Sequence, residues 1–345
     1  NFNYKHVAWE TGKAIYETIN NASPSPTPPA PEQCTVNTTY DQDKDCFCSF
    51  HATDSKCSVT PEPDPAPASA QGIVGYYQSW SADWKGDAAS HSLSQIPGYV
   101  SRVLISFVQP SCQHTAGKAD CGLNFSSDFS VVKGAIALAH KNNPNQKFLL
   151  SVGGATYPFP ATFTAENAKN LVALMNDLGA DGIDIDYENV PSCTGVDTAA
   201  LSCSTDSQLV NIINTVKSAL PVGKMLTAAT WSVGAYGSEK FPTTTYGPKS
   251  AYTGLFVNPL KQAGSKFDEI YIMSYDAGNK QTTGYDPKQA LTAYAALFPM
   301  KNTYLGLEVP NEAWGGNVLT VADALDYALH AKSQGAGGVM LWSLN

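Results

Sequence analysis

From Gly72 onward the sequence predicts a (β/α)8 TIM barrel, and three observations carry that prediction. Eight short apolar runs read as strands, at 72–77, 102–107, 147–152, 182–187, 225–230, 269–275, 303–308 and 338–343. Amphipathic patterns with helical spacing lie between them, near 129–142, 166–178, 206–219, 287–298 and 319–334. Strands that alternate with helices imply a parallel sheet with helical crossovers, and eight strands in about 275 residues is the count that closes a barrel. The alternative is an open doubly wound sheet, but no G-x-G-x-x-G follows the first strand, so the dinucleotide-binding version of that fold lacks support. The connections after the first and fifth strands carry no clear helical pattern. Fewer than 30 residues separate the seventh strand from the eighth, too few for a large α+β insertion.

The chain has 345 residues, 43% of them hydrophobic, enough for one large domain and something small beside it. Residues 1–20 place Val7, Ala8, Ile15 and Ile19 at spacings of an amphipathic helix. Residues 21–33 and 58–71 are proline-rich linkers, semi-rigid and extended. Between them, residues 34–57 are too few to fold on an apolar core, so disulfides must staple this small module. Its four cysteines, Cys34, Cys46, Cys48 and Cys57, allow three pairings, and the sequence does not choose among them. The Cys46/Cys48 spacing lacks the paired C-x-x-C of a zinc site, so no metal is expected. The module is read as a spacer rather than a sugar-binding unit, with only Tyr40, Phe47 and Phe50 to stack on a ligand. The last strand ends just before Asn345, without an eighth helix behind it. Residues 1–20 are therefore expected to fill that place, in their own barrel or, by exchange, in a neighbour's; otherwise a monomer is expected.

The net charge is −9, the isoelectric point is near 5.1, and there is no basic run. That balance argues against nucleic acid or an anionic membrane as partner and is compatible with a neutral polysaccharide. No apolar run approaches the ~20 residues of a membrane span. The other cysteines form two local pairs, Cys112 with Cys121 and Cys193 with Cys203, and even, closely spaced cysteines point to disulfides and an oxidising compartment. Sequons at Asn21, Asn37 and Asn124 agree with glycosylation and secretion, and a chain that starts at Asn1 rather than Met reads as processed or as a fragment. An extracellular protein is the expectation.

The stretch Asp181–Glu188, DGIDIDYE, carries the chemistry. Asp184, Asp186 and Glu188 are two residues apart, which on a strand turns all three carboxyls to one side with about 6.6 Å of rise between neighbours. A bare D-x-D-x-E is usually a solvated strand face. Inside a parallel sheet covered on both faces, however, carboxylates are costly unless they share protons or hydrogen bonds. In a barrel the site lies at the C-terminal ends of the strands. Glu188 would then be at the mouth, with Asp186 and Asp184 progressively deeper. Neighbouring like charges disfavour full ionisation, so a proton belongs to the row as a whole.

D-x-x-D-x-D-x-E at Asp181, Asp184, Asp186 and Glu188 resembles the signature of the family-18 glycoside hydrolases, the chitinases. Ser151, Val152, Gly153 and Gly154 match its S-x-G-G; Met273, Ser274, Tyr275 and Asp276 match its M-x-Y-D; and Trp342 lies on the last strand. The resemblance covers about residues 72–345. It implies a substrate-assisted retaining hydrolysis of β-1,4-linked N-acetylglucosamine, in which the sugar's own acetamido oxygen attacks the anomeric carbon. Glu188 would be general acid and then base, Asp186 would share its proton and hold the acetamido N–H, and Asp184 would tune Asp186. Tyr275 would bind the acetamido oxygen and Trp342 would floor the cleft, beside Met273. Asp276 is a candidate for sugar hydroxyls, and Tyr77 and Phe107 match aromatic positions at the first two strand ends. Gly153 and Gly154 would let the backbone approach the substrate closely. Trp231, with Trp80, Trp84, Tyr236 and Trp314, is a candidate for outer sugar contacts. Glu308 is either a polar contact to the sugar or a structural hydrogen-bonding group. The implied substrate is chitin or chito-oligosaccharide, with no cofactor, and the missing insertion favours internal cleavage. An endo-N-acetylglucosaminidase acting on N-glycans shares the acids and is the alternative. A non-catalytic chitin-binding lectin is a further one, against which the intact Glu188 argues. Asn189 stands where many members have Tyr.

Overall fold

The computed structural model describes residues 4–21, 72–118, 120–309 and 319–345, with the side chains of 4–8 and 21 outside the description. The proline-rich linkers beyond Asn21, the module with Cys34, Cys46, Cys48 and Cys57, the sequon at Asn37, and Trp314 lie outside the described residues, as does the Asn21 side chain with the rest of its sequon. The eight apolar runs fold as β1 (Gly72–Gln78), β2 (Val100–Val108), β3 (Lys147–Gly153), β4 (Gly182–Asp186), β7 (Met225–Trp231), β8 (Glu269–Met273), β9 (Thr303–Glu308) and β10 (Gly338–Trp342). All pair in parallel and close into one ring, β1-β10-β9-β8-β7-β4-β3-β2. β5 (Cys193–Thr194) and β6 (Ser202–Cys203) form a separate small antiparallel hairpin.

Outside the ring lie α2 (Phe129–Asn142), α3 (Ala165–Leu178), α4 (Asp206–Ala219), α5 (Val257–Ala263), α6 (Pro287–Ala295) and α7 (Val321–Ser333). Capping boxes at Thr164/Asn167 and Thr320/Asp323 start α3 and α7, each satisfying amides that the first helical turn leaves without partners. The two connections that lack a helical pattern are irregular. After β1 there are only 3-10 turns at Ser79–Ser81 and Ser92–Gln95. After β7 a loop rich in Gly, Pro and Ser runs to the short α5, because such residues break the 3.6-residue period.

Alternation along each strand separates two cores. Ile73, Val103, Ile105, Phe148, Leu150, Ile183 and Ile185 face the helices. Val74, Tyr76, Leu104, Leu149, Tyr271 and Met340 face the barrel axis. At the N-terminal end of the barrel, Arg102 Nη2 lies 3.1 Å from Glu269 Oε1, and the hydroxyls of Tyr271 and Tyr304 donate to the same carboxylate over 2.8 and 3.3 Å.

Asp181, first residue of the acidic signature, has a structural task far from the mouth. Its Oδ2 accepts from His140 Nε2 over 2.8 Å and from the Phe148 amide over 2.9 Å, with Lys147 Nζ 3.6 Å from Oδ1. It thereby ties α2 and β3 to the start of β4. Burial acts to raise its pKa, but these donors outweigh burial and hold it below the ordinary carboxylate value.

α1 (Tyr4–Asn21) lies over β1 and against α7. Ile15 and Ile19 are buried, Tyr16 stacks on Tyr99 at 5.8 Å, and the Tyr99 hydroxyl donates to the Trp9 carbonyl. A Cβ on Gly12 would stand 3.2 Å from Leu341 Cδ1, so the helix meets the outer face of β10. Two disulfides, Cys112–Cys121 and Cys193–Cys203, close loops at the C-terminal end of the barrel.

Asp181→Asn is expected to cost about 2 kcal/mol at pH 7, since an amide keeps an acceptor oxygen but loses the charge that strengthens both hydrogen bonds and faces Lys147. Thermal unfolding should then begin roughly 4–8 °C lower. A carboxyl with a depressed folded pKa contributes stability above its unfolded value, so the difference between wild type and variant should persist above about pH 3.9 and fade below it. Ile15→Asp places an unpaired charge in the α1 interface. Hydrogen exchange should show α1 amides unprotected while those of β1 to β4 stay protected.

Candidate active site

β4 ends at Asp186, so Glu188 stands on the loop just beyond it, as Tyr275 does beyond β8. Asp184 and Asp186 point to the barrel axis and are 0% and 3% exposed, while Glu188 is partly exposed. In register, Asp184 lies between Ser151 of β3 and Thr227 of β7. Ser151 Oγ and the Tyr76 hydroxyl donate to Asp184 Oδ2 over 2.8 and 2.9 Å, and Thr227 Oγ1 donates to Oδ1 over 2.7 Å. Burial raises Asp184 to about 6 against the pull of these three donors.

Asp186 differs from Asp184. Its Oδ1 is buried without a hydrogen-bond partner among the described residues. Burial, then the charge of Glu188, then that of Asp184 push its pKa well up. Glu188 rises to about 7 through burial, opposed by a hydrogen bond from the Ala155 amide and assisted by the charge of Asp276. The pair therefore holds one proton near neutrality, and both directions follow from burying acids side by side. The Tyr275 phenol is also raised well above its usual value, by burial and then by Asp186, Glu308, Glu188 and Asp276. Four carboxyls thus converge on one hydroxyl.

The backbone geometry that admits this row depends on Gly153. It pairs with Asp186 at a φ of +110°, and a Cβ there would stand 2.1 Å from the Asp186 carbonyl oxygen. No other residue fits that approach. Gly154, at φ +73°, donates its amide to the same oxygen over 2.9 Å and packs against Phe107. Asn189 hydrogen-bonds both the amide and the carbonyl of Phe159, over 2.9 and 2.8 Å, so it pins the loop between β3 and α3 beside the acids.

The aromatic candidates separate by strand parity. Phe107 stacks on Trp342 at 5.7 Å and on Trp80 at 5.8 Å, and Tyr76 meets Trp342 at 5.4 Å. Tyr76, Phe107 and Trp342, with Met273 and Tyr275, belong to the inner cluster, while Trp80 is 45% exposed at its edge. Tyr77, expected at the mouth, instead points outward, bonded to Ser92 and stacked on Phe125; its neighbour Tyr76 takes the inner position. Because β1 is buried on both faces, composition does not reveal which of two adjacent tyrosines faces the axis. Tyr236 is likewise buried in the outer core, and Trp84 is 67% exposed. Glu308 pairs in register with Trp342, and its charge acts on Tyr275.

Trp231 lies parallel to Tyr252, with ring centroids 3.6 Å apart. Together with Asp276, Ser232, Ala277 and Thr283 they line a hollow of about 490 Å³. The charge of Glu188 acts on the Tyr252 phenol, so this hollow adjoins the acid row. Asp276 has a left-handed φ of +51°, uncommon outside glycine and tolerated by Asp. Sequence reasoning missed Tyr76, Thr227 and Tyr252. Parity could have suggested Thr227, but Tyr252 is in an irregular loop with no periodic signal.

The described acids and hydroxyls can hold and deliver a proton beside a buried acceptor oxygen, next to a cluster of aromatic rings. Comparison with known proteins agrees with that chemistry. A chitinase of Plasmodium falciparum (isolate 3D7) is 33% identical over 141 residues, covering 37% of this chain and 35% of that protein's length. The structure of a chitinase from Pseudoalteromonas aurantia aligns with a TM-score of 0.56 at 18% identity, over 79% of this chain and 93% of that one. Human YKL-39, described as a pseudo-chitinase with retained chitooligosaccharide binding, aligns with a TM-score of 0.53 at 11% identity, over 79% and 92%. A model of glycosyl hydrolases family 18 matches residues 72–314. With well over half of its length matched and the acid row in place at the mouth of a closed barrel, the chain belongs to the glycosyl hydrolases of family 18.

Proposed function

We propose that the protein is a secreted chitinase that cleaves β-1,4 linkages between N-acetylglucosamine units internally, by a substrate-assisted retaining mechanism. The observation that carries this reading is the buried, unpartnered Oδ1 of Asp186 beside Glu188 and Tyr275. An acetamido group on the reacting sugar offers an N–H for that oxygen and a carbonyl for the Tyr275 hydroxyl, so these two residues would hold it against the anomeric carbon. Glu188 gives its proton to the leaving glycosidic oxygen while the acetamido oxygen attacks, forming an oxazolinium. Glu188, now a carboxylate, takes a proton from the water that opens this ring, which returns retained configuration. Holding the nucleophile inside the substrate makes attack intramolecular, a large entropic advantage. Trp342 offers a stacking face to the reacting sugar, with Phe107 and Trp80 extending the aromatic surface.

The short β9-to-β10 connection through α7, without a large insertion among the described residues, supports an open groove and internal cleavage. The two disulfides support an oxidising, extracellular location. We read the chain as a monomer with residues 1–20 seated on its own barrel; the roughly 50-residue tether between α1 and β1 also reaches a neighbour's.

The reading is tested with chito-oligosaccharides and, separately, a high-mannose glycoprotein. Wild type should cleave the oligosaccharides internally and leave the glycoprotein intact; the reverse result would assign it to the N-glycan endoglycosidases, and binding without cleavage would assign it to the lectins. Glu188→Gln should lower kcat by about 10²–10⁴ while oligosaccharide binding survives. Activity should also follow a bell in pH. The general acid must be protonated, so kcat/KM falls as pH rises through about 7, the value of Glu188. On the acid side it falls as Asp184, at about 6, and then the rest of the row take up a second proton. A rate that stays flat across pH 4–9 would contradict the shared-proton assignment.

A further inference from the structure

Three hydroxyls from three strands meet Asp184, and they are not equivalent. Tyr76 and Ser151 share Oδ2, whereas Thr227 Oγ1 is the partner of Oδ1 among the described residues. Thr227 is itself fully buried and lies below the mouth, in register with Asp184 on one side and Glu269 on the other. It touches neither the groove nor the hollow beside it, so it is not a group that meets substrate.

The surroundings of Asp184 explain why one hydroxyl matters. The groups facing it are Tyr76 from β1, Ser151 from β3, Thr227 from β7 and Tyr271 from β8, with Asp186 two residues along its own strand. The Tyr271 hydroxyl donates to Glu269, not to Asp184, and Arg102, the cation at that end of the barrel, is bonded to Glu269 as well. Among the described residues no lysine, arginine or histidine pairs with Asp184. Neutral donors alone therefore hold this buried anion, and a carboxylate stays ionised in such a place only while both oxygens are hydrogen-bonded. A proton arriving on Oδ1 would have to turn the Thr227 hydroxyl from donor to acceptor. One arriving on Oδ2 would have to turn Tyr76 or Ser151 in the same way.

We propose that Thr227 is a positioning residue for the reaction. Its hydroxyl fixes Oδ1 of Asp184 and keeps that residue as the negative inner end of the row through the working pH range, so that the mobile proton stays with Asp186 and Glu188. This rests on the hydrolase reading above and deepens it: the position of the proton is set from β7, a strand that contributes no acid. A threonine here acts through geometry. Serine keeps the donor, and valine keeps the shape and loses it.

The full chain carrying Thr227→Val or Thr227→Ser is assayed on chitotetraose across pH 4–9, with thermal unfolding followed in parallel. Losing a hydrogen bond to a charged group corresponds to about one pH unit or more. The acid-side midpoint of kcat/KM in Thr227→Val should therefore move up by that amount, with about fivefold lower kcat/KM near pH 6 for one unit, while Thr227→Ser returns the wild-type profile. A valine variant with an unmoved midpoint, whatever its melting temperature, overturns the proposal, and so does a serine variant that shifts as valine does. Should Thr227→Val fail to fold, Thr227→Ala removes the same hydroxyl without adding a methyl group and takes its place. Infrared titration of the protonated carboxyl band reads the same shift without turnover. A wild-type chain that cleaves no chito-oligosaccharide would overturn the hydrolase reading, and the infrared comparison of wild type with valine would still decide the role of Thr227.

Discussion

The constraint on which this molecule depends is that two aspartates are buried on the axis of a barrel with no cation paired to either among the described residues. Removing a carboxylate from water is costly unless hydrogen bonds or shared protons replace the solvent. The barrel meets that cost differently at each position. Asp184 has three hydroxyl donors and can remain an anion. Asp186 has an oxygen without a partner and is therefore driven toward the neutral form. These two environments, two residues apart on one strand, set the two aspartates apart, and Glu188 just beyond them is raised chiefly by its own burial.

Parallel pairing makes this arrangement repeatable. Neighbouring strands in a tilted barrel bring residues of one layer to a common height, so Ser151, Asp184 and Thr227 align without any loop to adjust them. The same geometry forbids a side chain at position 153, where the Asp186 carbonyl occupies the space a Cβ would need. Farther down the axis, the Arg102–Glu269 pair and its two tyrosines form a separate polar layer at the opposite end. The acid row thus has negative and hydroxylic neighbours, while the positive charge at the barrel floor is already matched.

Around the mouth, loops that carry no periodic pattern are fixed by specific bonds. Asn189 pins the β3–α3 loop, the Cys193–Cys203 bridge closes the β5–β6 hairpin, and Trp231 and Tyr252 stack to form one wall. On the outside, α1 covers β1 and β10 from a distant point in the sequence. Among its described side chains Ile15 and Ile19 are buried, and its attachment depends on packing rather than on chain continuity.

The sequence by itself determined the barrel, the acid row, the two disulfides of the barrel and the amphipathic helix at 4–21. Each of these is written in local spacing: period two in the strands, 3.6 in the helices, close cysteine pairs, and carboxyls two apart. What only the tertiary structure decided is which face of each doubly buried strand turns inward, and what one strand presents to the next. Tyr76 rather than Tyr77 reaches the axis, Thr227 meets Asp184 across a strand boundary, and Tyr252 reaches the wall from an irregular loop. Asp181, although part of the signature, serves the far end of the barrel. Those outcomes depend on register and closure, which are properties of the assembled ring, and a strand that is apolar on both faces carries no local mark of either.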